Sequence, residues 1–185
     1  DIEERARAVL QSRRSPDADR AAAGLAAQVN RDAAFQLDAC VHCGQCSDAC
    51  HFYLVTRDPH HTPIHKLQPM RDAWRRERSP FAAFARRLGF APPPLSAARL
   101  EAWSELIYDA CNLCGRCTLV CPMGIDIAGL VRRAREAMSA AGFAPTDLYR
   151  GAERALDSGS PLGVRWPALK RTIEIQEAET GLKIP

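Results

Sequence analysis

Apolar residues recur at three- and four-residue intervals along most of the chain, and the strict alternation of a half-buried strand is almost absent. Ile2 to Gln11 and Ala21 to Asn30 read as two amphipathic helices, split by the turn-forming Arg13-Arg14-Ser15-Pro16-Asp17. Thr62-Pro63 opens another helix that runs to about Arg78, within which Pro69 should force a kink or a division. Ser79-Pro80 starts a short helix that Gly89 can end, and Pro92-Pro93-Pro94 imposes an extended connector. Ser96 caps a helix that carries Leu100, Trp103, Leu106 and Ile107 on one face. Asp126 caps a further helix, Ile127 to Ala141, closed by Gly142. Two more are expected at Asp147 to Asp157 and about Pro167 to Glu179. Leu182-Lys183-Ile184-Pro185 is the one strand candidate, so the pattern predicts an all-α fold.

Composition refines this picture. Among 185 residues only 6% are aromatic, so the helices have a thin core that bound cofactors would help to stabilise. No apolar run reaches the ~18 residues of a membrane span, and the charged start Asp1-Ile2-Glu3-Glu4-Arg5 is no signal peptide. These features point to a cytoplasmic location, at most on the cytoplasmic face of a membrane complex. The missing initiator Met suggests a processed chain or a piece of a longer one. A net charge of +3 does not suggest nucleic acid, and no groove-reading motif accompanies the arginines. Those arginines are clustered, however: Arg71, Arg75, Arg76, Arg78, Arg86 and Arg87 face only Asp72 and Glu77 within that segment. Two readings stand, a solvated helix face and a docking face for an acidic partner.

The chemistry lies in the cysteines. Cys40, Cys43, Cys46 and Cys50 form one C-x2-C-G-x-C-x3-C block, and Cys111, Cys114, Cys117 and Cys121 form a second. The offset is constant (111 − 40 = 71 and 121 − 50 = 71), and all eight cysteines of the chain fall within the two blocks. Disulfides would need an oxidising compartment, to which nothing here points. Zinc is the stronger rival, because C-x2-C is half of a common structural zinc site. Yet such halves usually stand a dozen or more residues apart, whereas here the third and fourth thiols follow at once. This is the C-x2-C-x2-C-x3-C run that ligates iron–sulfur cubanes, so two [4Fe–4S] clusters are expected. Gly44 and Gly115 allow the tight bend after the second thiol, and Pro122 stops the second loop from continuing as helix. Val41, Leu113, Leu119 and Val120 are expected to be apolar cover that limits water access.

Two such blocks in an all-helical chain resemble the α-helical ferredoxin family, which includes the iron–sulfur subunits of succinate dehydrogenase and anaerobic glycerol-3-phosphate dehydrogenase. Ala49-Cys50-His51-Phe52-Tyr53-Leu54, Thr62-Pro63-Ile64-His65-Lys66-Leu67 and the run Cys121 to Ile127 look most like one branch. That branch is the C-subunit type of heterodisulfide reductase, with the iron–sulfur part of the sulfite-reduction-associated membrane complex. The resemblance spans roughly residues 35 to 160. It implies crossed ligation, as in two-cluster ferredoxins: Cys40, Cys43, Cys46 and Cys121 hold one cubane, and Cys111, Cys114, Cys117 and Cys50 the other. It also implies partners, namely a cysteine-rich catalytic domain, a flavoprotein or a membrane cytochrome b. One departure is His51, where the commoner motif has Pro.

The expected organisation is therefore a helical extension over 1–34, a two-cluster domain over 35–160 and a connector to a partner over 161–185. His51 could couple electron uptake to protonation. The plainer reading makes it an ordinary loop residue, as it makes His42, His60, His61 and His65. No nucleotide loop, nucleophile–base pair or carboxylate pair appears, and Asp109 and Asp126 read as caps. The expected function is a single-electron relay in a multi-component oxidoreductase. Two alternatives remain: the N-terminal part of a heterodisulfide-reductase-like catalytic enzyme, and a zinc-stapled helical adaptor.

Overall fold

Asp17 and Asn30 each accept a hydrogen bond from the amide three residues on, and so start α1 (Ala18–Gln28) and α2 (Arg31–Asp38). Asn30 thus begins a helix instead of ending one, and α2 is an element that the sequence pattern does not separate from the run-up to Cys40. The computed structural model describes residues 15–183 with Glu4, Arg7 and Leu10, so most of the expected Ile2–Gln11 helix lies outside the described residues. Every regular element among the described residues is helical, as expected. Leu182 and Lys183 form neither helix nor strand, and Ile184-Pro185 lie outside the described residues.

The first thiol loop carries α3 (Gln45–Asp48) and is followed by α4 (His51–Thr56), a 3₁₀ turn at Pro59–His61, α5 (Pro63–Lys66) and α6 (Gln68–Glu77). Pro69 divides the segment, since the chain breaks at Leu67 and Pro69 falls in the first turn of α6, where its missing N–H is harmless. The short α7 (Ala82–Arg87) ends before Gly89, and the triple proline leads in extended form to α8 (Ala97–Tyr108), capped by Ser96. The second loop carries α9 (Arg116–Leu119) and passes to α10 (Ile127–Ala140), capped by Asp126.

Two compact units result, Ser12–Ala144 and Asp1–Gln11 with Pro145–Pro185. Helix α1 belongs within the larger unit, packed on α6 and α10 with Ala21, Leu25 and Ala26 buried. Gly24 lies where α1 passes α10, and a Cβ there would meet that of Ala137 at 3.4 Å, about van der Waals contact. The core is built of Leu25, Leu37, Leu67, Met70, Leu100, Ile107, Val131 and Met138 with many alanines, and Trp103 and Phe143 are its aromatic members. It is thin, as the composition implies. The second unit contains α11 (Thr146–Ser158) and α12 (Trp166–Thr180), neither of which has a buried residue, and an Arg7–Asp157 ion pair at 2.8 Å.

Candidate metal centre

The two thiol loops repeat in backbone as well as in sequence. His42 and Leu113, also 71 positions apart, adopt left-handed φ values of 54° and 55°, and Gly44 and Gly115 adopt 82° and 77°. Each loop therefore makes two left-handed bends between its first and third cysteine. The glycines are demanded by φ, because nothing lies within 4 Å of a Cβ placed on either. At His42 and Leu113 the same conformation costs a non-glycine residue about 1–2 kcal/mol, which the fold must repay elsewhere. Among the described residues, no amide from Val41 to Gln45 or from Asn112 to Arg116 donates to a backbone carbonyl. Successive free N–H groups on a bent backbone form a nest for an anion.

Helices α3 and α9 then pack together, and the thiols gather into two groups. One pocket is lined by Cys40, Cys43, Cys46 and Cys121, with Leu37, Leu67 and Ile125 among its apolar walls. A second is lined by Cys111, Cys114, Cys117 and Cys50, with Phe52, Ile127 and Val131. Each pocket thus receives three thiols from one block and the last thiol of the other. Cys43 and Cys114, the matching second cysteines, are exposed, and the other six are half-buried. Among the described residues, no three His, Cys, Asp or Glu side chains converge as one bound ion would require. The thiols stand around a volume instead.

Two of the thiols, Cys46 and Cys117, resist ionisation in the bare protein. Burial pushes Cys117 up to about 11, helped by repulsion from Cys111, Cys114 and Cys46 and opposed by the Thr118 amide. Burial also raises Cys46, with a hydrogen bond involving Ser47 working against it and Cys40, Cys43 and Cys121 adding to it. A cationic iron core would offset this cost, and its uptake would release protons. The donor set therefore fits thiolate-ligated clusters: four thiols per pocket, apolar walls and unspent amides.

Three basic side chains also line the pockets, of which Arg116, in the second, is exposed and the other two are buried. Arg71 stands in the wall of the first with 3% exposure, and Lys66 in the wall of the second with 2%. Charge counting along the chain places Arg71 in a surface-facing basic run and passes over Lys66. Charge alone carries no signal of burial; the flanking Leu67 and Met70, both fully buried, are the available hint. In the rest of that run, Arg75 pairs with Asp38 at 3.1 Å, and Arg86 pairs with Glu77 at 3.0 Å. Arg76 donates to the Pro92 carbonyl at 2.8 Å.

The expected apolar cover needs correction. Val41 lines the first pocket but is 63% exposed, and Leu119 and Val120, at the end of α9, are 85% and 41% exposed; Leu113 lines the second pocket. His51 lines the second pocket and stacks at 4.4 Å on Phe52, while His42 is an exposed wall of the first. His60, His61 and His65 make local contacts: His60 with Asp58, His61 with Thr56, and His65 edge-on to His60 at 4.9 Å. Asp126 caps α10 by accepting from Gly129 N, and Asp109 closes the C-terminus of α8.

Residues 36–125 match the family model of a 4Fe–4S dicluster domain. The chain is 31% identical over 84% of its length to the Hdr-like menaquinol oxidoreductase iron–sulfur subunit 2 of Archaeoglobus fulgidus, of which the match covers 28%. It is 31% identical over 75% of its length to the Hdr-like menaquinol oxidoreductase iron–sulfur subunit of Archaeoglobus profundus, covering 24% of that protein. A third relative, from the dihydromethanophenazine:CoB–CoM heterodisulfide reductase of Methanosarcina barkeri, is 29% identical over 60% of the chain, with 26% of the relative covered. The chain therefore spans about a quarter of the length of these curated relatives. No solved structure matches. Residues 36–125 are a 4Fe–4S dicluster domain carrying two [4Fe–4S] clusters, and the chain is a homologue of these iron–sulfur subunits over the quarter of their length that it spans.

Proposed function

We propose that the chain is an electron relay whose two clusters are ligated crosswise, one by Cys40, Cys43, Cys46 and Cys121 and the other by Cys111, Cys114, Cys117 and Cys50. The observation that carries this reading is the make-up of the two pockets, three thiols from one block and the fourth from its repeat. Each cluster, when bound, takes up and returns a single electron. The residues of the chain supply the rest. The crossed fourth thiols tie each loop to the other's pocket at two points and fix the pockets relative to each other. Leu37, Leu67, Ile127 and Val131 keep water from the inner walls. Cys43 and Cys114 lie at the surface, where a partner can approach.

The partners would be redox subunits or domains of the kinds the resemblance implies, a cysteine-rich catalytic domain, a flavoprotein or a membrane cytochrome b. Two relatives are named as menaquinol oxidoreductase subunits and one as a heterodisulfide reductase subunit, which supports membership in such an assembly. Among the described residues no helix is long and apolar enough to cross a membrane.

Anaerobic reconstitution should give about eight irons and eight acid-labile sulfides per chain. Cys46→Ala should then damage the cluster held mainly by the first block, and Cys50→Ala the one held mainly by the second. If spectra of the reduced protein show both substitutions striking the same cluster, the crossed assignment is wrong. Stoichiometric zinc without sulfide would sink the relay.

A further inference from the structure

Lys66 and Arg71 are the buried cations of the larger unit, and neither has a carboxylate within ion-pair distance among the described residues. The nearest acid in sequence, Asp72, is already engaged by Arg99 and by Gln68. Lys66 Nζ donates to the Ala110 carbonyl, one residue before Cys111, and lies 5.4 Å over the Phe52 ring. Arg71 Nη2 donates at 2.8 Å to the Leu37 carbonyl, three residues before Cys40, and Nη1 reaches Gln68 Oε1 at 3.4 Å. Its Nε is buried and has no hydrogen-bond partner. A buried charge without a counter-ion is costly, and so is a buried donor without an acceptor. Both costs are incurred at a pocket wall, one buried cation to each pocket; Arg116, which also lines the second, is exposed to solvent.

A cubane with four thiolates supplies what is missing. It is a dianion when oxidised and a trianion after one electron is added, and its sulfurs accept hydrogen bonds. A nearby cation therefore stabilises the reduced state more than the oxidised one and raises the potential. We infer that Arg71 and Lys66 are dedicated counter-charges, Arg71 for the cluster of Cys40, Cys43, Cys46 and Cys121 and Lys66 for that of Cys111, Cys114, Cys117 and Cys50. Each sets the potential of its own cluster, and Arg71 Nε–H is the donor aimed at cluster sulfur. Both come from the α5–α6 segment, which has no counterpart in the duplicated blocks. That segment alone gives each half of the relay its own electrostatic setting. The inference rests on the crossed ligation proposed above.

The test is a redox titration of the whole reconstituted chain, followed by electron paramagnetic resonance. Cys40→Ser and Cys111→Ser variants identify the two signals. Arg71→Gln should weaken the electron affinity of the first cluster about tenfold or more, ~59 mV for a one-electron couple, and leave the second unmoved. Lys66→Gln should do the same to the second cluster alone. Arg71→Lys and Lys66→Arg should retain most of the potential. Assembled clusters whose potentials do not move, or two substitutions that shift the same cluster, would overturn the assignment. Should Arg71→Gln fail to assemble its cluster, Arg71→Lys decides: an intermediate shift supports the inference, and equal failure to assemble makes the arginine a structural anchor. Failure of the unmodified chain to bind two clusters would instead strike the relay reading itself.

Discussion

The first and second thiol loops share a backbone and differ in what surrounds it. Their left-handed residues match to within a few degrees, 54° against 55° and 82° against 77°, and each runs into a four-residue helix. The second loop, however, is latched from outside. Thr118 Oγ1 accepts from Ala128 N at 3.0 Å and sits 3.4 Å from Asp126 Oδ1, which itself accepts from Gly129 N. The residue equivalent to Asp126 in the first loop is Val55, which is 84% exposed and can form no such latch. The first loop is instead steadied through α2, whose Leu37 carbonyl accepts from Arg71. Local sequence thus dictates the shape common to both loops. Distant sequence dictates what makes them unequal.

The strongest challenge to the shared part is at the glycines. Gly44→Ala and Gly115→Ala each force a Cβ into the left-handed region and should cost roughly 1–2 kcal/mol apiece. Thermal unfolding of the loaded protein should show matched losses. A large loss at one glycine and none at the other would mean that the loops are not equivalent.

The latch comes next. Asp126→Ala removes the cap of α10 and should cost about 1 kcal/mol in denaturant unfolding. Amide exchange should then accelerate around Thr118 and Ala128 and stay unchanged around Ser47. Equal acceleration in both loops would mean that the latch serves the whole unit. Asp126→Asn, which keeps an acceptor, should recover most of the loss.

His65 offers the smallest effect and belongs to the α5 side alone. Partial burial, then repulsion from His60 and Arg99, holds it below its ordinary 6.5. The folded protein therefore binds that proton less readily than the unfolded chain. The stability tied to neutral His65 is complete above pH 6.5 and declines as pH falls through the window just beneath it. His65→Gln should flatten that decline in midpoint-against-pH curves, and an unchanged slope would assign it to other groups.

Much of this is legible in the chain because it depends on short-range rules. Cysteine spacing announces the clusters, Asp126 and Ser96 cap where expected, and Pro69 divides its helix at the predicted place. What escapes depends on tertiary contact. Asn30 resembles the end of a helix because its role as a cap is decided by the residues after it. Val41 and Leu119 resemble cover because hydropathy does not say which side of a short loop or a four-residue helix faces solvent. Arg71 resembles its neighbours Arg75 and Arg76 because the periodicity of α6 does not disclose that α1 lies across it.

The crossed grouping of thiols also has a consequence in time. A ribosome delivers the chain from its N-terminus, and when Cys50 has emerged the first pocket still lacks Cys121. The second pocket already has its outlying Cys50 but none of its three principal thiols. Some seventy residues must follow before either wall can close (121 − 50 = 71). During synthesis the nascent protein therefore carries an incomplete set of four soft donors, open to any thiophilic metal that reaches it. Under the proposed crossed ligation both sites would become complete within one short burst of translation, and loading would be a single late event.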